Sequence, residues 1–294
     1  ALRGLGNMRF PAILMVLASG IQVILSGGLI LGWFGFPKMG ISGAAVSALA
    51  NGAFMTLIMF LKFSSSSSPI RLKLSRLSPE KELFKDILDV ALPASLAPVF
   101  TVGTILVLTG LVGQFGTSAL AGYGIGSRVE FLMIPLVFGI GTAMTAMVGT
   151  NIGAKNIARA EKIGFIGGIS AGAFAGIIGV ILALTPELWI NYFATDEATY
   201  LVTKQYIQIV GVCYAFQGLG LSLYFASQGA NAMKWPIIGT VTRFIIAALG
   251  GSIAVYWFES NLSGIFYSAA AAMLIFGLIL LISLKMGAWR TNQS

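Results

Sequence analysis

Long, uninterrupted runs of apolar residues dominate this chain of 294 residues. Eight of the runs reach about 20 residues, the length that allows a helix to cross a hydrocarbon core about 30 Å thick. They lack the strict alternation of polar and apolar positions that is typical of barrel strands. We therefore expect an all-α, polytopic membrane helix bundle with eight transmembrane helices, at residues 10–33, 41–61, 91–112, 120–150, 163–186, 206–229, 235–257 and 264–284.

The composition supports a membrane protein and narrows its chemistry. Hydrophobic residues make up 57% of the chain and charged residues only 10%, whereas soluble domains average about 25% charged residues. The chain has one cysteine and no histidine, so it has no intrachain disulfide and lacks the commonest metal ligand. We expect no metal and no cofactor, and any coupling to protons must depend on carboxylates.

The net charge of +8 follows from loops that carry lysine and arginine. Because these loops connect membrane spans, the charge indicates topology and predicts no nucleic-acid partner. The basic residues gather in alternate loops, and the remaining loops hold only Lys38 and Lys204. By the positive-inside rule, both termini of the chain are predicted to be cytoplasmic.

The segment 63–90, between the second and third apolar runs, is predicted to be a cytoplasmic linker. It contains a serine run at 64–68, which is typical of flexible linkers. Ser78, Pro79 and Glu80 then give the pattern of a helix start, with a capping serine, a proline in the first turn and an early acid. We expect an amphipathic helix to begin there.

Two patterns near the start of the chain return near its end. Residues 41–43 (ISG) return at 262–264 as LSG, and an earlier set also returns: Gly4, Met8, Arg9, Phe10 and Pro11 correspond to Gly229, Met233, Lys234, Trp235 and Pro236. The first two helices therefore match the last two in the same orientation, which predicts two parallel halves. We assign 1–62 to the last two helices of an N-terminal lobe, 63–90 to the inter-lobe linker and 91–294 to a complete six-helix C-terminal lobe. On this assignment the chain is a fragment of a twelve-helix protein; the alternative is a genuine eight-helix protein.

Three ionisable side chains lie inside the predicted spans, where a charge costs about 3 kcal/mol at the bilayer centre. Glu130 is the carboxylate deepest in any span and is our candidate for the coupling group. The alternative is that Arg128 or a cavity water neutralises it in a structural role, although residues two apart point to different faces of a helix, which weakens the case for Arg128. Arg243 is interpreted as structural, with a head group that could extend to the membrane interface.

Uncharged polar residues inside spans either contact a substrate or bond to a neighbouring helix, and the second use is the commoner one in membranes. Tyr214 and Gln217 lie three apart on one helix face, so both can line a cavity together. The candidates for substrate or cavity contacts are Arg128, Tyr214, Gln217, Thr101 and Gln22.

Several motifs together resemble those of the MATE (multidrug and toxic compound extrusion) transporters. The stretch AGYGIGSRVE at 121–130 and the loop VGTNIGAKN at 148–156 are similar to the eighth helix of that family and its following loop. The motif ALP at 91–93 resembles the start of the seventh helix, and GISGAA at 40–45 resembles the sixth. The resemblance covers the whole chain as helices five to twelve.

The resemblance implies an antiporter of the plasma (inner) membrane that exports organic, often cationic, compounds in exchange for sodium ions or protons. Its partners would be small organic substrates and the lipid bilayer, and we expect a monomer. The sequence departs from the family at the usual cation positions. Thr101 and Gly218 stand where some branches have a glutamate and an aspartate, and Gln22 and Ser26 stand where others have an asparagine and an aspartate.

Two other functions remain open at this point. A lipid-linked oligosaccharide flippase has a similar paired-lobe architecture, but it would be expected to place several cations in its cavity, and only Arg128 and Arg243 lie inside the spans. The other is a membrane-embedded enzyme or scaffold. An enzyme would need a nucleophile with a supporting base, and the chain shows no such constellation. The internal repeat argues against a scaffold. We therefore expect a transporter and not an enzyme.

Overall fold

The computed structural model describes residues 9–65, 81–194, 196–257 and 261–290, and all regular structure in these ranges is helical. The α-helices are α1 (Arg9–Leu31), α2 (Ile41–Ser64), α3 (Lys81–Gly113), α4 (Thr117–Gly153), α5 (Ile157–Leu184), α6 (Glu187–Ile190), α7 (Glu197–Val210), α8 (Tyr214–Gly229), α9 (Lys234–Ile245), α10 (Gly251–Tyr256) and α11 (Leu262–Lys285). A 3₁₀ turn at Gly211–Cys213 joins α7 to α8, and a π-helical turn at Ile246–Gly250 joins α9 to α10. Within the described ranges, eight helical stretches are long and apolar enough to cross a membrane, which confirms the predicted fold class.

The helices extend beyond the predicted spans where their ends are polar. One clear difference is in the sixth span, for which hydrophobicity predicts a start at residue 206 but which begins with α7 at Glu197. Asp196 caps this helix, since its side chain accepts a hydrogen bond of 2.8 Å from the Thr199 backbone N–H. The first turns of α7 carry charged and hydroxyl side chains, so hydrophobicity alone does not show the start of the helix.

The described part of the predicted linker is not a separate helix. α2 ends at Ser64, and α3 runs without interruption from Lys81 into the third span. Ser78, Pro79 and Glu80 lie outside the described residues, as does most of the serine run. The chain divides into two compact units, Ala1–Glu80 and Lys81–Ser294. The assignment of these segments to two lobes of a larger protein stays a prediction.

The first unit contains α1 and α2, which pack together through small residues. A Cβ atom at Gly43 would overlap the backbone of Leu29, so this position requires glycine for the two helices to approach. Nearby, the hydroxyl groups of Ser26 and Ser47 lie 3.0 Å apart. α2 and its repeat counterpart α11 both have 24 residues and begin at matching positions, Ile41 and Leu262.

The second unit is built around α8, which packs against α4, α5 and α11. One face of α5 carries glycines spaced by four residues, namely Gly164, Gly168, Gly172 and Gly176. This face contacts α8 and, at Gly164, the end of α11 and the residues after it. All four are buried, and three of them face Leu223, Leu219 or Ala215 of α8. Such spacing permits close backbone approach between helices in lipid. The glycine stripe of α5 therefore serves helix packing.

Candidate ion-coupling site

A stripe of two glycines and a glutamate on α4 brings that helix close to α7. Gly122, Gly126 and Glu130 are spaced by four residues and therefore share one face. A Cβ atom at Gly122 would meet the Val202 side chain at 2.7 Å, and one at Gly126 would overlap the ring of Tyr206. The Thr203 hydroxyl fixes the register by donating a 3.1 Å hydrogen bond to the Gly122 carbonyl. The absence of side chains at the two glycines thus places Tyr206 beside Glu130.

Tyr206 donates a hydrogen bond from its hydroxyl to Oε1 of Glu130. The Tyr206 ring is itself fixed by two edge-to-face aromatic contacts, with centroid distances of 5.4 Å to Tyr123 and 5.1 Å to Phe266. Tyr206 is 2% exposed and Tyr123 is 6% exposed. Packing against buried aromatic rings therefore fixes the direction of the hydroxyl group that donates to Glu130.

A small polar cavity adjoins Glu130 on the side of α9. Its lining includes Glu130, Tyr123, Tyr206, Thr104 and Arg243, and it offers about 30 Å³ to the centre of a water molecule. This volume is sufficient for one or two waters. The charged atoms of Glu130 and Arg243 lie more than 4.0 Å apart, so the two groups face each other without a direct ion pair.

A second, narrower cavity adjoins Glu130 on the side of α8. Glu130, Gln217 and Gly218 line it, and it offers about 10 Å³, close to the minimum for one water. Gln217 is 6% exposed, and its Oε1 atom is buried without a hydrogen-bond partner among the described residues. The carboxylate of Glu130 thus lies between two cavities, each of about the size of one or two water molecules.

Gly218 explains the departure from the pattern that the resemblance implies. A Cβ atom at this position would lie 2.7 Å from the Ala171 carbonyl oxygen and 2.7 Å from the Ala175 Cβ. In this packing of α8 on α5, an aspartate at position 218 has no room. The acid that approaches this region comes from α4, as Glu130.

The structure decides between the alternatives for both arginines, while a substrate contact by Arg128 stays a prediction. Arg128 is exposed and forms no ion pair with Glu130, because the two side chains leave α4 on different faces. Arg243 does not extend to the interface. Its guanidinium lies over the Phe276 ring, 5.8 Å from the centroid, and lines the Glu130 cavity. The inward charge beside Glu130 is therefore Arg243 and not Arg128.

The other candidate residues have different positions. Tyr214 is fully buried on α8, and its hydroxyl has no hydrogen-bond partner in the part of the chain that the structure describes. Thr101 is half-buried on α3, but the polar side chain from that helix that lines the cavity is Thr104. Of the two uncharged candidates on α8, Gln217 lines a cavity with Glu130.

Gln22 belongs to the first unit, where it joins a polar cluster between α1 and α2. Its Nε2 donates to the Ser26 hydroxyl at 3.0 Å and to the Ser47 hydroxyl at 3.3 Å. Within residues 9–65 and the other described ranges, the Oε1 of Gln22 and the Oδ1 of Asn51 are buried without a hydrogen-bond partner. Gln22 therefore contributes to helix contacts and leaves an acceptor oxygen free.

Sequence reasoning missed Tyr206, Tyr123 and Thr104 as neighbours of Glu130. The one signal in the sequence was the spacing of Gly122 and Gly126 before Glu130, which marks a face of close helix contact. Nothing in the spacing named α7 as the helix that this face contacts. In the described residues, no group of three or more histidines, cysteines or acids is placed to hold a metal ion.

An all-helical bundle with an ionisable cluster inside apolar helices defines a polytopic integral membrane protein. Within this class, the MatE family model matches residues 93–253, more than half of the chain, and the chain belongs to the MatE family. The resemblance inferred from the motifs is thereby confirmed. Members of this family are transporters, which also confirms that the chain does not belong to an enzyme.

Relatives with this fold are longer than the chain. The probable multidrug resistance protein NorM of Thermotoga maritima is 28% identical over 296 residues, covering 98% of this chain and 62% of that protein. The probable multidrug resistance protein YoeA of Bacillus subtilis is 22% identical over 299 residues, covering 99% of this chain and 64% of that protein. The structure of a MOP superfamily transporter from Pyrococcus furiosus has a TM-score of 0.89 at 20% identity, covering 100% of this chain and 65% of that one. The chain thus spans less than two thirds of their lengths.

Proposed function

We propose that this chain forms part of a cation-coupled antiporter that exports organic cations, drugs or toxic metabolites by alternating access, with sodium ions or protons as the coupling ion. The observation that carries this proposal is the position of Glu130, a hydrogen-bonded carboxylate between two small cavities within the membrane-spanning helices. The names of the relatives NorM and YoeA, both probable multidrug resistance proteins, support the substrate class. A location in the plasma (inner) membrane with cytoplasmic termini and a monomeric state belong to the same proposal.

Glu130 differs in position from the other acids of the described chain. It lies well inside α4, more than three turns from the nearer end of the helix. A charge at this depth is expensive and is retained where it serves ion or substrate passage. The remaining described acids lie close to helix ends or outside the apolar windows: Glu82, Asp86, Asp89, Glu161, Glu187, Asp196 and Glu197.

The contact between Tyr206 and Glu130 connects ion occupancy to helix packing. A hydrogen bond to an ionised carboxylate is about twice as strong as one between neutral groups. When a proton or sodium ion neutralises Glu130, the bond from Tyr206 weakens and the α4–α7 contact changes. Ion binding would therefore stabilise one conformation of the transporter more than the other. Alternating access requires this difference, because an ion can shift the equilibrium only through it.

The test compares Glu130→Gln with Glu197→Gln, an exposed acid at the start of α7. Each variant is expressed within the full open reading frame in efflux-deficient cells, and dye export is measured with sodium and pH gradients imposed separately. We expect export in the wild type and in Glu197→Gln, and loss of gradient-dependent export in Glu130→Gln. The gradient that drives wild-type export identifies the coupling ion.

Two outcomes contradict the proposal. Unchanged gradient-dependent export by Glu130→Gln would remove Glu130 from the coupling site. A wild-type protein that is inserted in the membrane but exports no dye under either gradient would refute the antiporter and favour the flippase. Protein levels in the membrane fraction are the control in both cases.

A further inference from the structure

Arg243 is the positive charge that the described structure places inside the helices together with Glu130. It lies in the last turn of α9, directly before the π-helical turn Ile246–Gly250. The Phe276 ring of α11 supports its guanidinium at 5.8 Å. A guanidinium above an aromatic face is held by a cation–π interaction. Arg243 is therefore fixed in direction and points into the cavity that it shares with Glu130.

The other polar groups that face Glu130 in the described structure carry no charge near neutral pH. They are Thr104 from α3, Tyr123 from α4, Tyr206 from α7, and Tyr214 and Gln217 from α8. The contributions of α5 and α11 to the two cavities are apolar side chains. Arg243 is thus the one charged group of the described chain that faces Glu130 across a cavity.

The separation between the two charges matters as much as their signs. Their N and O atoms are more than 4.0 Å apart, and the cavity between them has room for one or two waters. Because Tyr206 already donates to one carboxylate oxygen of Glu130, a closed ion pair with Arg243 would occupy the rest of the carboxylate and block another cation. An open pair neutralises the net charge of the site while it leaves the carboxylate accessible.

We infer that Arg243 is the resident counter-charge of Glu130, a positioning residue that faces it across a water-sized gap and favours release of the coupling cation. The guanidinium does not lose its proton in proteins, so this charge is constant through the transport cycle. A proton or sodium ion bound at Glu130 is repelled by Arg243 in surroundings that screen charge weakly. The pairing follows from the geometry, whereas its role in ion release rests on the proposed function.

The experiment measures cation binding on the purified full-length protein in detergent. Thermal unfolding midpoints are recorded against sodium concentration at constant pH and against pH without sodium. The rise in midpoint that is absent in Glu130→Gln is assigned to cation binding at Glu130. The variants are Arg243→Met, which keeps the length and apolar packing without the charge, and Arg243→Lys, which keeps the charge. Arg159→Met, at the exposed start of α5, is the matched control.

If sodium is the bound cation, we expect Arg243→Met to reach half-maximal stabilisation at an about tenfold lower sodium concentration. If it is a proton, we expect the same point at a pH about one unit higher. Arg243→Lys and Arg159→Met should titrate like the wild type. The double variant Glu130→Gln/Arg243→Met should be more stable than the sum of the single changes predicts, because removing one member of a charge pair leaves the other unpaired.

A wild-type titration in Arg243→Met would overturn the inference, and so would strictly additive stabilities in the double-mutant cycle. The cycle gives this answer even where no ion stabilises the protein. Because these measurements use binding and stability rather than export, they are separate from the efflux assay. If the wild type exports no dye but the double-mutant cycle still shows a coupling energy between Glu130 and Arg243, the proposed function is rejected and the charge pairing is retained.

Discussion

Gly218 offers a quantitative test of the packing that places Gln217 and Glu130 around one cavity. In the Gly218→Ala variant, the new Cβ would lie 2.7 Å from the Ala171 carbonyl oxygen and 2.7 Å from the Ala175 Cβ. Carbon atoms pack best at about 3.5–4.0 Å. The backbones of α5 and α8 must therefore separate by close to 1 Å at this point, since neither neighbour is the flexible end of a long side chain.

The magnitude follows from two opposing contributions. Overpacking in a close-packed interior costs about 1–3 kcal/mol, whereas replacing glycine by alanine within a helix gains up to about 1 kcal/mol. The net loss of about 1–2 kcal/mol lowers the unfolding midpoint of a protein of this size by about 2–8 °C. Gly110→Ala on α3 is the matched control, because a Cβ there meets no atom within 4 Å.

The assay is thermal unfolding of the purified full-length variants in detergent, with midpoints compared at one heating rate. Gly110→Ala should unfold at or slightly above the wild-type temperature, and Gly218→Ala below it. If Gly218→Ala is as stable as Gly110→Ala, the tight contact between α5 and α8 is wrong, and with it our explanation for the absence of an acid at position 218.

Two further predictions concern hydrogen bonds of α7. Tyr206→Phe should lower the free energy of unfolding by about 1–3 kcal/mol, because it leaves the buried Glu130 without its hydrogen-bond donor. The control is Tyr200→Phe, which removes a hydroxyl from an exposed carboxylate and should cost little. Equal unfolding midpoints for the two variants would contradict this prediction. The Thr199 backbone N–H lowers the pKa of Asp196, so the stabilisation by this cap is complete above the usual aspartate pKa and is lost as pH falls through the lowered one. The difference in unfolding midpoint between wild type and Asp196→Ala should therefore shrink below about pH 4, and a constant difference down to about pH 3 would refute the assignment.

Several features of the site are predictable because they follow from the cost of charge in an apolar medium. Glu130 stands out by its position within a long apolar run, which the order of residues shows directly. The glycine stripe of α5 likewise predicts close packing, and each of its glycines contacts a neighbouring segment. In both cases the spacing along one helix carries the information.

The partners of Glu130 are not predictable in the same way. In water, a helix shows its buried face by a stripe of apolar residues, but a membrane helix is apolar on its lipid face as well as on its buried face. The sequence pattern of α9 therefore does not show whether Arg243 points to the interface or to the interior. Packing on Phe276 decides that it faces Glu130.

The sequence by itself determined the fold class, the eight helices able to cross a membrane and the family, because chain length and hydrophobicity limit what a bilayer can accept. Only the tertiary structure decided that Tyr206 and Arg243 face Glu130 while Arg128 does not. These residues lie on three different helices, and their meeting depends on helix rotation and close contacts at glycines. Hydrophobicity gives no direction around a helix whose surroundings are apolar on every side.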